Sequence, residues 1–194
     1  MNVKDEREGR ELLVEYGKKL LETGLVQGTW GNLSVRLDDQ YMLATPSGLD
    51  YERLTPEDMV KVEIKTLKFE GDKKPTSEKA LHAGIYASRP EIGAVIHTHS
   101  KYCCIFAASR MPIQVEDPEL IGRLGEVLNI AEYGLPGTSK LTKNTIKALG
   151  STPGCVMANH GMICCGTDMG DTFGICNDME RAAQEYVDSR WERY

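Results

Sequence analysis

The stretch Gly93–His99, with the sequence GAVIHTH, runs from four small or aliphatic residues into two of the chain's four histidines. A short apolar run of this kind is typical of a strand buried on both faces. Residues i and i+2 of a strand project from the same face about 6 to 7 Å apart, which lets the imidazoles of His97 and His99 converge on one ion. The stretch therefore predicts a buried strand that ends in a pair of metal ligands, with ordinary packing or hydrogen bonding of the two histidines as the alternative.

A third histidine ends another apolar run. His160 lies in the sequence ANHG, residues 158–161, where the following glycine allows the backbone to turn sharply. If the two strand ends meet, three imidazoles surround one position, and three histidines with an open coordination position are a familiar arrangement for catalytic zinc. His82, the remaining histidine, lies four residues after Glu78 on a proposed helix and is expected to pack or to orient its neighbour without contacting metal.

Strand patterns and helix patterns alternate along the rest of the chain. Strands are predicted in residues 28–37, 41–48 and 59–64, near Pro112, and in 154–166 as two strands or one bent hairpin. Helices are predicted in residues 6–24, from Thr76 and Ser77 onward, and in 104–109, 117–128, 138–150 and 168–191. Because several connections are too short for parallel crossovers, the pattern predicts an α/β, three-layer sandwich with a mostly antiparallel central sheet flanked by helices, formed by a single domain over residues 1–194.

Composition and charge argue against several classes of protein. The 23 basic and 29 acidic residues leave a net charge of −6 without a Lys/Arg cluster, so nucleic acid is not an expected partner. No apolar run approaches the roughly 20 residues of a membrane helix, and the N-terminus carries mixed charges where a secretory signal is apolar. The protein is therefore expected to be cytoplasmic, with no membrane partner. The six cysteines lack a CxxC pair and are expected to be reduced packing residues.

Glu78 is predicted in the first turn of a helix, where the helix dipole favours a carboxylate. Alone, it is interpreted as a capping-box acid. Thr76 and Ser77 precede it, however, and the free backbone N–H groups of a helix N-terminus bind phosphate well. The glycine- and hydroxyl-rich stretches 28–34 and 45–48 offer similar donors. Each alone is more typical of an ordinary turn, but together they predict a phosphate site beside Glu78.

Five motifs in order along the chain carry a family resemblance. They are QGTWGNLSVR at 27–36, ATPSGLDYERL at 44–54, PTSEKALHAGIY at 75–86, RPEIGAVIHTHS at 89–100 and ANHGMICCG at 158–166. Together they resemble the class II aldolase/epimerase (adducin-type) family, which includes L-fuculose-1-phosphate aldolase, L-rhamnulose-1-phosphate aldolase and L-ribulose-5-phosphate 4-epimerase. The resemblance covers nearly the whole chain, and the motif spacing is most similar to that of L-fuculose-1-phosphate aldolase.

The resemblance implies a zinc-dependent aldolase that cleaves a ketose 1-phosphate to dihydroxyacetone phosphate and an aldehyde through a metal-stabilised enediolate. It implies that His97, His99 and His160 bind one Zn²⁺ per subunit, and that Glu78 is the catalytic glutamate, which also ligates zinc when substrate is absent. It further implies a homotetramer with intersubunit active sites. The positions that match contacts to the substrate phosphate are Thr29, Gly31, Asn32, Ser47, Gly48, Thr76 and Ser77.

The region 111–117 departs from the family pattern. In the aldolases a tyrosine from the neighbouring subunit aligns there, whereas this chain offers Glu116 or Asp117, so Glu116 is expected to be the intersubunit catalytic residue. The family's C-terminal tail, with its second tyrosine, is expected to be short or missing. These departures keep open 4-epimerisation of a pentulose 5-phosphate, decarboxylation of a sugar-acid phosphate, and dehydration. The adducin-type members of the family also keep open a non-catalytic interaction domain.

Overall fold

A seven-stranded sheet forms the centre of the molecule. The computed structural model describes residues 3–191. Its strands are β1 (Asn32–Arg36), β2 (Tyr41–Ala44), β3 (Val60–Glu63), β4 (Ala94–Thr98), β5 (Ile113–Gln114), β6 (Val127–Leu128), β7 (Ile130–Ala131), β8 (Gly154–Met157) and β9 (Gly161–Gly166). Across the main sheet their order is β3-β2-β1-β4-β9-β8-β7, while β5 and β6 form a separate two-stranded ladder. The strand that carries His97, β4, is therefore the middle one.

The pairing of the strands brings distant motifs together. Every neighbouring pair in the main sheet is antiparallel except β7 and β8, which are parallel. The register places Asn32 of β1 beside His97 of β4, and Thr98 of β4 beside Met162 of β9. These pairings confirm the mostly antiparallel sheet, and they put one end of β1, β4 and β9 at the same place.

Helices cover both faces of the sheet. They are α1 (Glu6–Glu22), α2 (Lys79–Ser88), α3 (Lys101–Ser109), α4 (Pro118–Leu124), α5 (Ser139–Leu149) and α6 (Met169–Trp191). Helices α1, α3, α4 and α6 share one apolar cluster with Ile96 and Cys164, whereas α2 and α5 share a second cluster with Val95 and Cys165. Since adjacent residues of a strand face opposite sides, the two clusters lie on the two faces, which confirms the three-layer α/β sandwich. No helix within residues 3–191 is long and apolar enough to cross a membrane.

The structure differs from the sequence prediction at α4 and at β7. The helix predicted over 117–128 is too long, because Gly125 ends α4 with a φ of +87°, outside the helical region, and the chain then forms β6. The strand β7 is absent from the sequence prediction, since a segment of two residues is too short to show an alternating pattern. The six cysteines are free thiols, five of them buried, as expected from the sequence.

Candidate active site

The three histidines of the sequence prediction lie together at one end of the sheet. His97 belongs to β4 and is buried, His99 follows that strand directly, and His160 lies in the tight turn between β8 and β9. Asn159, the residue before it, adopts a left-handed φ of +55°, which asparagine tolerates better than most residues. One ligand atom from each histidine lies within 4.8 Å of the others. Within residues 3–191 this is the one group of His, Cys, Asp or Glu side chains with such spacing.

Gly161 permits the close approach of the two strand ends. A Cβ atom added at this position would lie 2.4 Å from the carbonyl oxygen of Thr98 and 2.6 Å from Cδ2 of His99. Both distances are far shorter than a van der Waals contact. The glycine in the ANHG motif is therefore needed mainly because a side chain at this position would take the space that the histidines occupy.

The Gly161→Ala protein should be destabilised and should bind metal more weakly, because the added methyl group pushes His99 and the end of β4 away from His160. Overpacking of this kind costs about 1 to 3 kcal/mol of unfolding free energy. Denaturant unfolding and metal titration measure the two effects. Gly122→Ala is the matched control, since a Cβ there meets nothing within 4 Å and α4 gains a better helix former. Unchanged metal affinity in Gly161→Ala would contradict this account of the turn.

Glu78 faces the histidine cluster from the start of α2. It is the N-cap residue of that helix, which begins at Lys79 and therefore starts later than the predicted start at Thr76 and Ser77. Its carboxylate makes no capping hydrogen bond. Instead, Oε2 lies 3.2 Å from Nε2 of His97 and Oε1 lies 3.4 Å from Nε2 of His160. The interpretation of Glu78 as a simple capping acid is therefore wrong.

The contact between Glu78 and His97 joins two hydrogen-bond acceptors. Nδ1 of His97 lies 2.7 Å from the carbonyl oxygen of Met162, which only accepts, so Nδ1 carries the ring proton and Nε2 presents a lone pair. Burial lowers the pKa of His97, and it lowers the pKa of His160 to about 4, so both rings are neutral at neutral pH. Lone pairs that face each other at this distance repel unless a cation lies between them.

The spacing of the ligand atoms fits a divalent cation. Tetrahedral zinc with bonds of about 2.0 to 2.1 Å places neighbouring ligand atoms about 3.3 Å apart. The Nε2 atoms of His97 and His99 are 3.0 Å apart, and the two contacts of Glu78 are 3.2 and 3.4 Å. Oε1 of Glu78 accepts no hydrogen bond from any described residue. Three neutral imidazoles and a carboxylate therefore fit the donor set that zinc prefers.

The ionisation of Glu78 reflects opposing influences. Burial acts to raise its pKa, but the adjacent His97 and His160 and the N–H of Asn32 outweigh burial and hold the pKa below its usual value. Glu78 and the histidines compete for any proton in the cluster, and at neutral pH the carboxylate is ionised while the rings are neutral. A cation at the cluster favours the same state.

Asn32 and His82 form a second layer behind Glu78. Nδ2 of Asn32 donates to Oε2 of Glu78 at 2.9 Å, and Oδ1 of Asn32 lies 2.5 Å from Nε2 of His82. His82 is fully buried and is not part of the ligand cluster, in agreement with its predicted position beside the site. Asn32 also lines the cleft, so it lies where a substrate would bind.

The residues predicted to contact phosphate line the same cleft as the histidines. The cleft has a volume of about 330 Å³, which is within the range of small-molecule sites. An isolated bridge between Pro46 and Pro75 joins two of its loops, and the N–H of Ser47 donates to the carbonyl of Lys74. The cleft is lined by Thr29, Gly31, Asn32, Ser47, Gly48, Thr76, Ser77, Glu78 and the three histidines, so the structure gathers every predicted site residue except Glu116.

Trp30, Pro46 and Pro136 also line the cleft and are not among the predicted site residues. Trp30 is 61% exposed, and its ring centroid lies 6.3 Å from that of His99. Its position inside the motif GTWGN is a signal that the sequence does contain. Pro136 lies in a loop remote from all five motifs, and no local pattern marks it.

Glu116 and Asp117 lie away from the cleft of their own chain. Glu116 is exposed and pairs with Arg190 of α6, with 2.7 Å between Oε1 and Nη2. Asp117 is the N-cap of α4, accepts hydrogen bonds from the N–H groups of Glu119 and Leu120, and pairs with Arg181 at 3.0 Å. The role of Glu116 at the site of a neighbouring subunit stays a prediction.

Comparison with known proteins identifies the family. Residues 11–187 match the family model described as "Class II Aldolase and Adducin N-terminal domain". The chain belongs to the class II aldolase/adducin family. The five-motif resemblance is therefore confirmed.

Members of the class II aldolase/adducin family with similar sequences differ in their named reactions. The 5-methylthioribulose-1-phosphate/5-deoxyribulose-1-phosphate aldolase of Rhodospirillum rubrum is 33% identical over 177 residues, covering 91% of this chain and 79% of that protein. The 3-oxo-tetronate 4-phosphate decarboxylase of Haemophilus influenzae is 31% identical over 180 residues, covering 90% and 85%. A solved structure of L-fuculose 1-phosphate aldolase superimposes with a TM-score of 0.90 at 34% identity, covering 94% of this chain and 86% of that one.

Proposed function

We propose that this chain is a zinc-dependent aldolase that cleaves a ketose 1-phosphate, similar to fuculose 1-phosphate, into dihydroxyacetone phosphate and an aldehyde. The observation that carries the proposal is the position of Glu78, whose buried carboxylate lies 3.2 and 3.4 Å from two imidazoles in a cleft lined by hydroxyl groups and glycines. A base, a ligand cluster and a set of phosphate donors in one small cleft are the parts that this reaction needs.

His97, His99 and His160 would hold the zinc, and the neutral state of the three imidazoles suits that role. When bound, the cation supplies positive charge that stabilises the enediolate left after the carbon–carbon bond breaks. In cleavage, the ionised Glu78 would take the proton that the hydroxyl group of the aldehyde half loses and deliver it to the carbon of the dihydroxyacetone phosphate half; in the reverse reaction the proton moves the other way. Because Asn32 holds Oε2, Oε1 is the oxygen that is free to carry this proton.

The phosphate of the substrate would be bound by hydrogen bonds and not by ion pairs. No Lys or Arg belongs to the described residues that line the cleft. The hydroxyl groups of Thr29, Ser47, Thr76 and Ser77 and the backbone at Gly31 and Gly48 provide donors without charge. Such a site recognises a phosphate by the positions of its hydrogen-bond donors. A sugar that lacks the phosphate should bind more weakly, because it leaves these donors unpaired.

The second candidate is decarboxylation of a phosphorylated sugar acid. The Haemophilus influenzae relative named for that reaction is almost as similar to this chain as the aldolase relative. Loss of CO₂ beside a metal-stabilised carbonyl produces the same kind of enediolate, so the residues described above serve either reaction. Epimerisation and a non-catalytic scaffold are less well supported, the scaffold because the three histidines and Glu78 are all present.

A substrate panel distinguishes these reactions. Zinc-loaded protein should release dihydroxyacetone phosphate from one or more ketose 1-phosphates, and the activity should disappear on chelation and return with added zinc. Unphosphorylated ketoses are the control for phosphate recognition. CO₂ release from a 3-oxo sugar-acid phosphate without any aldol cleavage would favour the decarboxylase, and no reaction with any member of the panel would overturn the proposed activity.

The assembly and location of the protein remain proposals. We infer a homotetramer of single-domain chains, residues 1–194, with intersubunit active sites in the cytoplasm. The family resemblance supports this, because it implies tetramers with active sites between adjacent subunits. In such an assembly Glu116 would approach the cleft of a neighbouring chain.

A further inference from the structure

A row of buried hydrogen bonds leads away from Glu78 into the protein. Beyond the bonds from Glu78 to Asn32 and from Asn32 to His82, the Oγ of Ser34 lies 2.7 Å from Nδ1 of His82 and 2.8 Å from the hydroxyl of Tyr86. Each of the five side chains is 6% exposed or less. The row opens to the cleft only at Glu78 and Asn32, and its inner groups, His82, Ser34 and Tyr86, are buried and must satisfy one another.

The row is built from two elements with matched spacing. Glu78, His82 and Tyr86 are four residues apart along α2, and Asn32 and Ser34 are two residues apart on β1. Four residues of helix rise about 6 Å, and two residues of strand rise about 6.7 Å. Side chains of the helix and the strand therefore alternate along the row and lie within hydrogen-bond distance at every step.

The direction of every hydrogen bond in the row is determined by its chemistry. A carboxylate only accepts, so Asn32 directs its amide nitrogen toward Glu78 and its oxygen toward His82. That oxygen also only accepts, so Nε2 of His82 carries the proton. Burial lowers the pKa of His82 to about 4, and the ring is neutral at neutral pH. Nδ1 must then accept from Ser34, whose oxygen accepts in turn from Tyr86.

A change of tautomer at His82 would reverse this arrangement. With the proton on Nδ1, the lone pair of Nε2 would face the oxygen of Asn32 at 2.5 Å, and the amide would have to rotate. Its oxygen would then face Oε2 of Glu78, now at 2.9 Å without a proton between them. The orientation of the Asn32 amide, and with it the position of Glu78, depends on which nitrogen of His82 is protonated.

We propose that His82, whose Nε2–H donates to Oδ1 of Asn32 and whose Nδ1 accepts from Ser34, is a positioning residue that fixes the catalytic carboxylate of Glu78 through Asn32. Glu78 is catalytic under the proposed function, so the kinetic part of the inference rests on that function. The tautomer itself does not depend on the reaction. Residues that orient groups in contact with a metal or its ligands are typically worth about 10- to 100-fold in activity or metal affinity.

A double-mutant cycle tests whether His82 acts through Asn32. His82→Leu should lower kcat about 10- to 100-fold with the metal content unchanged, whereas in an Asn32→Ala background the same change should add no further loss. His82→Gln should recover part of the activity, because its amide nitrogen can replace the Nε2 donor. A general packing role for His82 predicts losses that multiply in the double variant, and that result would overturn the proposal.

A measurement of the tautomer covers the case in which His82→Leu does not fold. In ¹⁵N-labelled, zinc-loaded protein, the imidazole signals of His82 should show an Nε2–H tautomer. Ser34→Ala removes the hydroxyl group that donates to Nδ1, so the His82 ring should lose support and kcat should fall, while the Nε2–H tautomer is kept by the acceptor on Asn32. Thr145→Val is the control, because it removes another buried hydroxyl, one that makes no hydrogen bond to a described residue.

The outcomes separate the inference from the proposed activity. An Nδ1–H tautomer in the unmodified protein, or unchanged kcat in the Ser34→Ala protein, would overturn the positioning role. If the substrate panel shows decarboxylation instead of aldol cleavage, the same cycle applies to that activity. The tautomer measurement stands whichever reaction is found.

Discussion

A His97→Ala protein should lose its metal and, with it, about 1000-fold or more of kcat. Stabilisation of developing negative charge by a metal ion is worth several kcal/mol, and each 1.36 kcal/mol changes a rate about tenfold. His97 is the most buried ligand, and its ring is fixed by the 2.7 Å hydrogen bond from Nδ1 to the carbonyl of Met162. An alanine there removes a preorganised donor that neither His99 nor His160 can replace.

Metal content after gel filtration and kcat on the best substrate of the panel measure the two effects of His97→Ala. Thr98→Val is the control, because Thr98 is the next residue of β4, is equally buried, and has a hydroxyl without a hydrogen-bond partner among the described residues. That variant should keep its metal and most of its activity. A His97→Ala protein with a full complement of tightly bound zinc would show that the cluster is not the metal site.

The part of the site that lies in short motifs could be predicted from the sequence. The i, i+2 spacing of His97 and His99 on a buried strand and the glycine after His160 are local features, and the structure shows all three imidazoles together. The reason that they meet is not local. The three imidazoles meet because β4 pairs with β9 and because Gly161 leaves room for them. The spacing of the histidines along the sequence reveals neither feature.

The predictions that were wrong concern features decided by tertiary context. The capping pattern around Thr76 and Ser77 favours an earlier helix start, but the chain here bridges to the loop at Pro46, and the helix begins only after Glu78 has turned toward the histidines. The end of α4 is similar, because Gly125 and the pairing of β6 with β5 override a continuous helical pattern.

The position of His82 in the row of hydrogen bonds becomes visible only when the packing of β1 beside α2 is known. On the sequence it is one more residue on a helix, four positions after Glu78. Once β1 is known to lie beside α2, the spacing of Glu78, His82 and Tyr86 on the helix matches that of Asn32 and Ser34 on the strand. These residues belong to two of the five motifs. The sequence alone does not show that the two motifs pack against each other, so it could not predict the row of hydrogen bonds.

Glu78→Gln should produce the opposite pattern to His97→Ala: the metal stays bound and kcat falls. Proton transfer by a positioned side chain contributes typically about 100- to 10,000-fold to a rate, and an amide has no ionisable proton to exchange. The three imidazoles remain as ligands. The glutamine oxygen can still accept the hydrogen bond from Asn32 that Oε2 accepts now at 2.9 Å, so the fold around the site should persist.

The comparison of kcat, KM and metal content in Glu78→Gln decides between a proton-transfer role and a purely ligating one. If Glu78 exchanges the proton, kcat falls while KM and zinc content change little, since the phosphate donors and histidines are intact. Glu22→Gln, at the exposed end of α1, is the matched control for the same chemical change. Loss of zinc together with activity would assign Glu78 to metal binding alone. Unchanged kcat would show that Glu78 takes no part in the reaction. No other carboxylate in the described part of the chain lines the cleft and could take its place.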